Sequence, residues 1–230
     1  MIELAFGCWV AIAMPLRAWR RRRRALPRRA GRYLLETLLL IGVLGWILWR
    51  RDVPMQALGL AVDSWREFLL EIAICLLVVA GPDAWFAWRI ATTPRPDTLP
   101  DPDPIFTDVL AGRQATGSFI AVTLIGAVWE ELCFRATVLL LVPRTPAGLL
   151  LGIAAGSLVF GAQHLRSGVR RAAYACGYGV MFSVLYVATG NLVAVIVAHA
   201  AGNILSGLQW TPHLERLRQR AAPSSSIFIG

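Results

Sequence analysis

Glu130, Glu131 and Arg135 stand near the middle of an otherwise apolar run from Ser118 to Val142. Each such charge costs about 2.5 to 3.5 kcal/mol to insert at the centre of a membrane helix, so it needs compensation. Along a helix Glu131 and Arg135 are i, i+4 neighbours and can pair, whereas Glu130 lies about 100° further round. One carboxylate is thereby neutralised locally and the other is left to face something else. Two later runs carry polar groups at one-turn spacing, Phe160 with His164 in FGAQH and His199 with Asn203 in HAAGN. A carboxylate, two imidazoles and a carboxamide from three helices are the set a water-activating pocket needs.

Each of these residues also has an ordinary reading. A lone intramembrane histidine hydrogen-bonds a carbonyl on a neighbouring helix, Glu131 with Arg135 reads as structural support, Asn203 as contact between helices, and Phe160 as packing beside the site. Taken together the set is harder to explain structurally, because leucine at those positions would be cheaper in a bilayer.

The elements that must carry them are membrane spans. The chain has 230 residues, is 57% hydrophobic and has a mean hydropathy of +0.58, and it holds several apolar runs long enough to cross a bilayer. The expected fold is all-α, a polytopic bundle of about six to seven spanning helices. The clearer spans fall near 33 to 49, 68 to 91, 118 to 142, 147 to 165, 171 to 189 and 191 to 210, with Pro143 and Pro146 dividing the third from the fourth and Thr189, Gly190 and Asn191 turning between the last two. The run from residue 2 to 19 precedes the arginine cluster Arg17 to Arg32, the reverse of a signal peptide's order, and is expected to be an uncleaved first span or an interfacial helix. Residues 92 to 108, rich in Pro and Asp, read as an exposed loop.

With these boundaries His164 lies toward the cytoplasmic end of its span while Glu130 and His199 lie deeper. Either the fourth span extends past Leu165, or the site opens toward the cytoplasm.

Arginine supplies all 23 basic residues, and lysine is absent, a bias expected of a GC-rich prokaryotic gene. Placing the first arginine cluster inside and alternating from there puts eighteen arginines on the cytoplasmic side and only Arg50, Arg51, Arg66 and Arg144 outside, as the positive-inside rule requires. The expectation is a multi-pass prokaryotic inner-membrane protein with a cytoplasmic C-terminus. The same placement between apolar runs argues for lipid headgroups and against nucleic acid as partner. Cys8, Cys75, Cys133 and Cys176 are widely spaced, with no CxxC pair, so no disulfide framework or zinc–cysteine site is indicated. Glu36 and Glu71 sit near span ends. Asp83 follows Pro82, which is expected to break its helix and leave Asp83 lining a polar cavity, a weak functional candidate. His213 and Glu215 read as solvated tail residues.

In order, EELCFR, FGAQH and HAAGN resemble the CPBP family of intramembrane peptidases, which includes CAAX prenyl endopeptidases and bacteriocin-processing proteins and is also called the Abi family. Its EExxxR, FxxxH and HxxxN motifs are matched at Glu130 to Arg135, Phe160 to His164 and His199 to Asn203. The resemblance covers about residues 115 to 210 and implies a catalytic helical core there, flanked by the expected N-terminal membrane helices with an arginine-rich cytoplasmic loop over 1–114 and a short cytoplasmic tail over 211–230. It implies that Glu130 activates water with His164, that His199 and Asn203 stabilise the oxyanion, and that Glu131 and Arg135 hold the helix. The partner it implies is a protein or peptide substrate. No cofactor is the favoured expectation, with a glutamic-type general base. Zinc on Glu130, His164 and His199 is the other possibility, although there is no HExxH. Two further functions compete with an endopeptidase: a catalytically silent scaffold or immunity-type binding protein, and a proton-coupled transporter.

Overall fold

The computed structural model describes residues 30–95, 98, 99 and 116–221. The apolar run 2–19, nearly all of the arginine cluster and most of the loop 92–108 lie outside the described residues. Within them the secondary structure is entirely helical: α1 (Ala30–Arg50), a 3-10 turn (Met55–Leu58), α2 (Trp65–Thr92), α3 (Thr116–Glu131), α4 (Val138–Leu141), α5 (Pro146–Gln163), α6 (Val169–Thr189), α7 (Leu192–Leu205) and α8 (Thr211–Ala221). Five stretches are long and apolar enough to cross a membrane, namely Gly31–Arg50, Trp65–Thr92, Pro146–Gln163, Val169–Thr189 and Leu192–Arg220.

A sixth long element is assembled from pieces. Helix α3 passes through a π-helical segment, Leu132–Thr137, into α4 without a break, which makes a rod about 39 Å long at ~1.5 Å per residue. Its three central charges set it apart from the five apolar stretches. A second π-helical segment, Ser206–Trp210, joins α7 to α8. Single π turns of this kind frequently mark functional sites, and here one directly follows the Glu-Glu pair and the other begins three residues after Asn203.

Local chemistry fixes the helix ends. Ser64 caps α2 by accepting from the Glu67 amide at 3.5 Å, and Thr145 caps α5 by accepting from Gly148, with Pro146 in the first turn where its missing N–H costs nothing. Asn191 caps α7 through the Ala194 amide and donates from Nδ2 to Glu71 on α2 at 2.6 Å. Glu71 therefore ties two helices together, while Glu36 pairs with Arg32 at 2.8 Å on the exposed face of α1. Gly59 packs its carbonyl onto the Leu192 amide, at 2.8 Å, in the same corner. Its φ is +64°, and a Cβ there would strike the Gly190 carbonyl, so only glycine fits.

One expectation fails at α2. Pro82 does not break the helix, which continues for 28 residues through it; a membrane helix tolerates proline because neighbouring groups can satisfy the freed backbone. The fourth span also does not extend past Leu165, since α5 stops at Gln163 and His164 opens a 3-10 turn.

Of the expected tail 211–230, the described part Thr211–Ala221 is a helix, and the rest lies outside the described residues. Leu214 is buried with Ile90 at the end of α2 and with Leu99, whereas His213 is exposed as expected and Glu215 is half-buried. Large apolar side chains cover the outside of the bundle. Trp49 and Trp65, both 71% exposed at adjoining ends of α1 and α2, suit the aromatic belt at a membrane interface.

Candidate active site

Three helices meet around the His199 ring. It is supplied by α7, is 4% exposed, and is bracketed by the two carboxylates at the end of α3: Nδ1 lies 2.6 Å from Glu131 Oε1, and Nε2 lies 3.5 Å from Glu130 Oε2. Adjacent residues separated by about 100° on a helix can reach both edges of a ring pressed against that helix. A carboxylate only accepts, so Nδ1 carries the proton and donates to Glu131.

Glu131 is therefore more than a local partner for Arg135, which is how the spacing alone reads. Arg135 Nη1 stands 3.0 Å from Glu131 Oε1, both side chains being almost wholly buried. The contact is a close approach of charges and not an aligned hydrogen bond. The guanidinium is held between aromatic faces, 4.6 Å from the Phe160 centroid and 5.4 Å from that of Phe182, which is a favourable cation–π arrangement in a dry site.

Phe160, expected as packing, is the hub of this cluster. Its ring meets Phe134 at 5.6 Å, His164 edge-on at 4.9 Å and His199 edge-on at 6.1 Å. His164 Nδ1 donates to the Phe160 carbonyl at 2.9 Å. Because a carbonyl cannot donate, the lone pair of the neutral ring sits on Nε2.

The structure thus brings Glu130, Glu131, Arg135 and His199 into direct contact and sets His164 beside them across the Phe160 ring. Asn203 lies one turn past His199 on α7, half-buried and without a hydrogen bond to any of these five. Exposure divides the group. Glu131 and Arg135 are sealed, whereas the Glu130 side chain keeps 20% of its surface, and His164 and Asn203 are half-buried.

Phe182 on α6 was missed by the sequence reading. It stacks on His199 with centroids 4.6 Å apart and planes at 20°. Nothing in its apolar run GVMFSVLYV distinguishes it from a lipid-facing residue, so no sequence signal was available.

Residues 112–205 match the family model described as type II CAAX prenyl endopeptidase Rce1-like. Over this segment the chain is similar to the CPBP family. No curated protein and no solved structure matches the chain. All three motifs, from Glu130 to Asn203, fall inside the matched residues, as does Phe182.

Among the described residues no group of three or more His, Cys, Asp or Glu side chains is placed to hold a metal ion. The set Glu130, His164 and His199 does not fit one as arranged. Cys75, Cys133 and Cys176 are free thiols, two of them buried.

Proposed function

We propose that the protein is an intramembrane endopeptidase of the glutamic type, hydrolysing a peptide bond in a membrane-associated protein or peptide. The observation that carries this reading is the histidine bracketed by two carboxylates of different burial, inside the segment that matches a family of endopeptidases.

Glu130 is the general base. It is the accessible carboxylate of the pair, and it takes a proton from water as the oxygen attacks the scissile carbonyl. His164, with Nδ1 committed to the Phe160 carbonyl, offers Nε2 to accept from the same water. His199 donates from Nε2 to the oxyanion, and Asn203 adds its carboxamide from one turn away. For Nε2 to donate while Nδ1 donates to Glu131, the ring must carry both protons, and the Glu131 carboxylate at 2.6 Å balances that charge. The proton held by Glu130 then passes to the leaving amine as the C–N bond breaks, so base and acid are one residue.

Substrates would include prenylated CAAX peptides, given the matched family, as well as leader-bearing peptides. The test is cleavage by the purified protein in liposomes. Glu130→Ala should abolish turnover, a loss of at least 100-fold, while leaving membrane insertion intact; unchanged turnover overturns the reading. A metal chelator such as phenanthroline should leave the rate unchanged. Loss of activity that zinc restores would replace the glutamic mechanism with a metal-dependent one.

A further inference from the structure

A second polar group lies outside this machinery. Asp83 on α2 accepts on Oδ1 from the Tyr178 hydroxyl of α6 at 3.0 Å and from Ser206 at 3.3 Å, where α7 turns π-helical. Three separate helices thus converge on one carboxylate within the bundle, at a depth where such a group is expensive. Its other oxygen, Oδ2, has no hydrogen bond among the described residues and is not sealed from the surface. That oxygen faces α7 at Gly202, where even a Cβ would come within 3.7 Å.

This group is continuous with the site. His199, Asn203 and Ser206 lie at i, i+4 and i+7 and so share one face of α7. On α6, Tyr178 and Phe182 stand one turn apart with ring centroids at 6.0 Å, and Phe182 is the ring stacked on His199. Asp83, Tyr178, Asn203 and Ser206 are all half-buried, so a partly open polar stripe leads away from the catalytic histidine toward α8. At ~1.5 Å per residue Ser206 is about 10 Å from His199 along the helix, a span covered by about three residues of extended peptide.

We propose that Asp83, positioned by Tyr178 and Ser206, is a substrate-binding subsite that accepts a main-chain N–H of the peptide about three residues from the scissile bond. The proposal rests on the endopeptidase reading for the nature of its ligand. The saturated oxygen fixes the carboxylate, and Oδ2 is an acceptor of the kind an extended backbone seeks in a site with little water.

The test is protection of an introduced thiol. Ser206→Cys and, as control, the lipid-facing Leu205→Cys are placed in a chain whose four cysteines are alanine and whose Glu130 is Gln, reconstituted in vesicles. A membrane-impermeant thiol reagent added on the side of α8 should label Ser206→Cys at least tenfold faster than Leu205→Cys. A ten-residue prenylated CAAX peptide should slow that labelling at least fivefold. Asp83→Ala in the same background should weaken the protection about tenfold in peptide concentration.

No labelling of Ser206→Cys, labelling without protection, or protection indifferent to Asp83→Ala each overturns the subsite. If the four-alanine chain fails to fold, peptide binding to Glu130→Gln and Glu130→Gln/Asp83→Asn in the native-cysteine chain decides instead, equal affinity overturning the proposal. Turnover that survives Glu130→Ala would remove the peptidase reading and leave the protection result standing by itself.

Discussion

At the residue scale, the decisive feature is that one imidazole is shared by two carboxylates with different surroundings. Glu131 is sealed and serves both Arg135 and His199, which makes its substitution informative in two ways. Glu131→Gln removes the charge opposite a fully buried guanidinium, and breaking a buried pair from one side costs about 3 to 5 kcal/mol. The expected result is a lower melting temperature in detergent together with at least a tenfold loss of turnover. Adding Arg135→Met should restore much of the melting temperature, because replacing both members of a buried pair is often nearly neutral. Turnover should stay low, since His199 still lacks the negative charge that its partner supplied. Recovery of turnover in the double variant would show that Glu131 acts only through Arg135.

The contacting groups Glu130, Glu131, Arg135 and His199 were legible in the sequence because charged and imidazole side chains in apolar runs are costly and conspicuous. Phe182 was not, because an aromatic residue in a membrane helix carries no mark of which way it faces. Phe182→Leu should lower kcat severalfold with little change in KM, as His199 loses the face that fixes its ring; an unchanged kcat would mark the stack as incidental.

At the element scale, all six long elements could be read from apolar length, the charged run 118 to 142 included, since each backbone in lipid must satisfy itself within a helix. What could not be read was the path of the helix axis. The π-helical turns after Glu131 and Leu205 follow no residue pattern, and Pro82 reads as a breaker although α2 passes through it. Packing between elements also depends on small residues whose role shows only in three dimensions. Gly156 of α5 sits against the Phe134 carbonyl of the π segment, and an added Cβ would lie 2.7 Å from that oxygen. Gly156→Ala should therefore cost about 1 to 3 kcal/mol by overpacking. It should reduce turnover as well, because Phe160 follows one turn later and carries the contacts to His164 and Arg135. Gly177→Ala on α6 meets nothing within 4 Å and serves as control, with an unchanged melting temperature and unchanged turnover. Equal tolerance at both positions would mean that α5 and the π segment are not held in the close contact described.

At the scale of the whole molecule, the arrangement of charges bears on how the chain is oriented in a membrane. Six alternating crossings between residues 30 and 221 would return the chain to the side on which it started and would place the start of α1, the turn at His164 and helix α8 on one face of a membrane. Arg32, Arg170, Arg171, Arg216, Arg218 and Arg220 lie on that face, whereas Arg50, Arg51, Arg66 and Arg144 lie on the other. Positive residues accumulate on the cytoplasmic side of short loops, and α8 puts three arginines within one short amphipathic helix whose Leu214 is anchored on α2. The candidate site opens the same way: His164 heads the turn that follows α5, and the stripe through Asn203 and Ser206 runs toward α8. The expectation is a cytoplasm-facing site acting on proteins or peptides made inside the cell. An epitope added after residue 230 should be digested by protease in inverted membrane vesicles and protected in right-side-out ones. Replacing Arg216, Arg218 and Arg220 with alanine should weaken that bias without abolishing it, because the remaining inward arginines still favour the same orientation. Digestion of the epitope from the outer side alone would turn the site, and the substrates it can reach, to the opposite face.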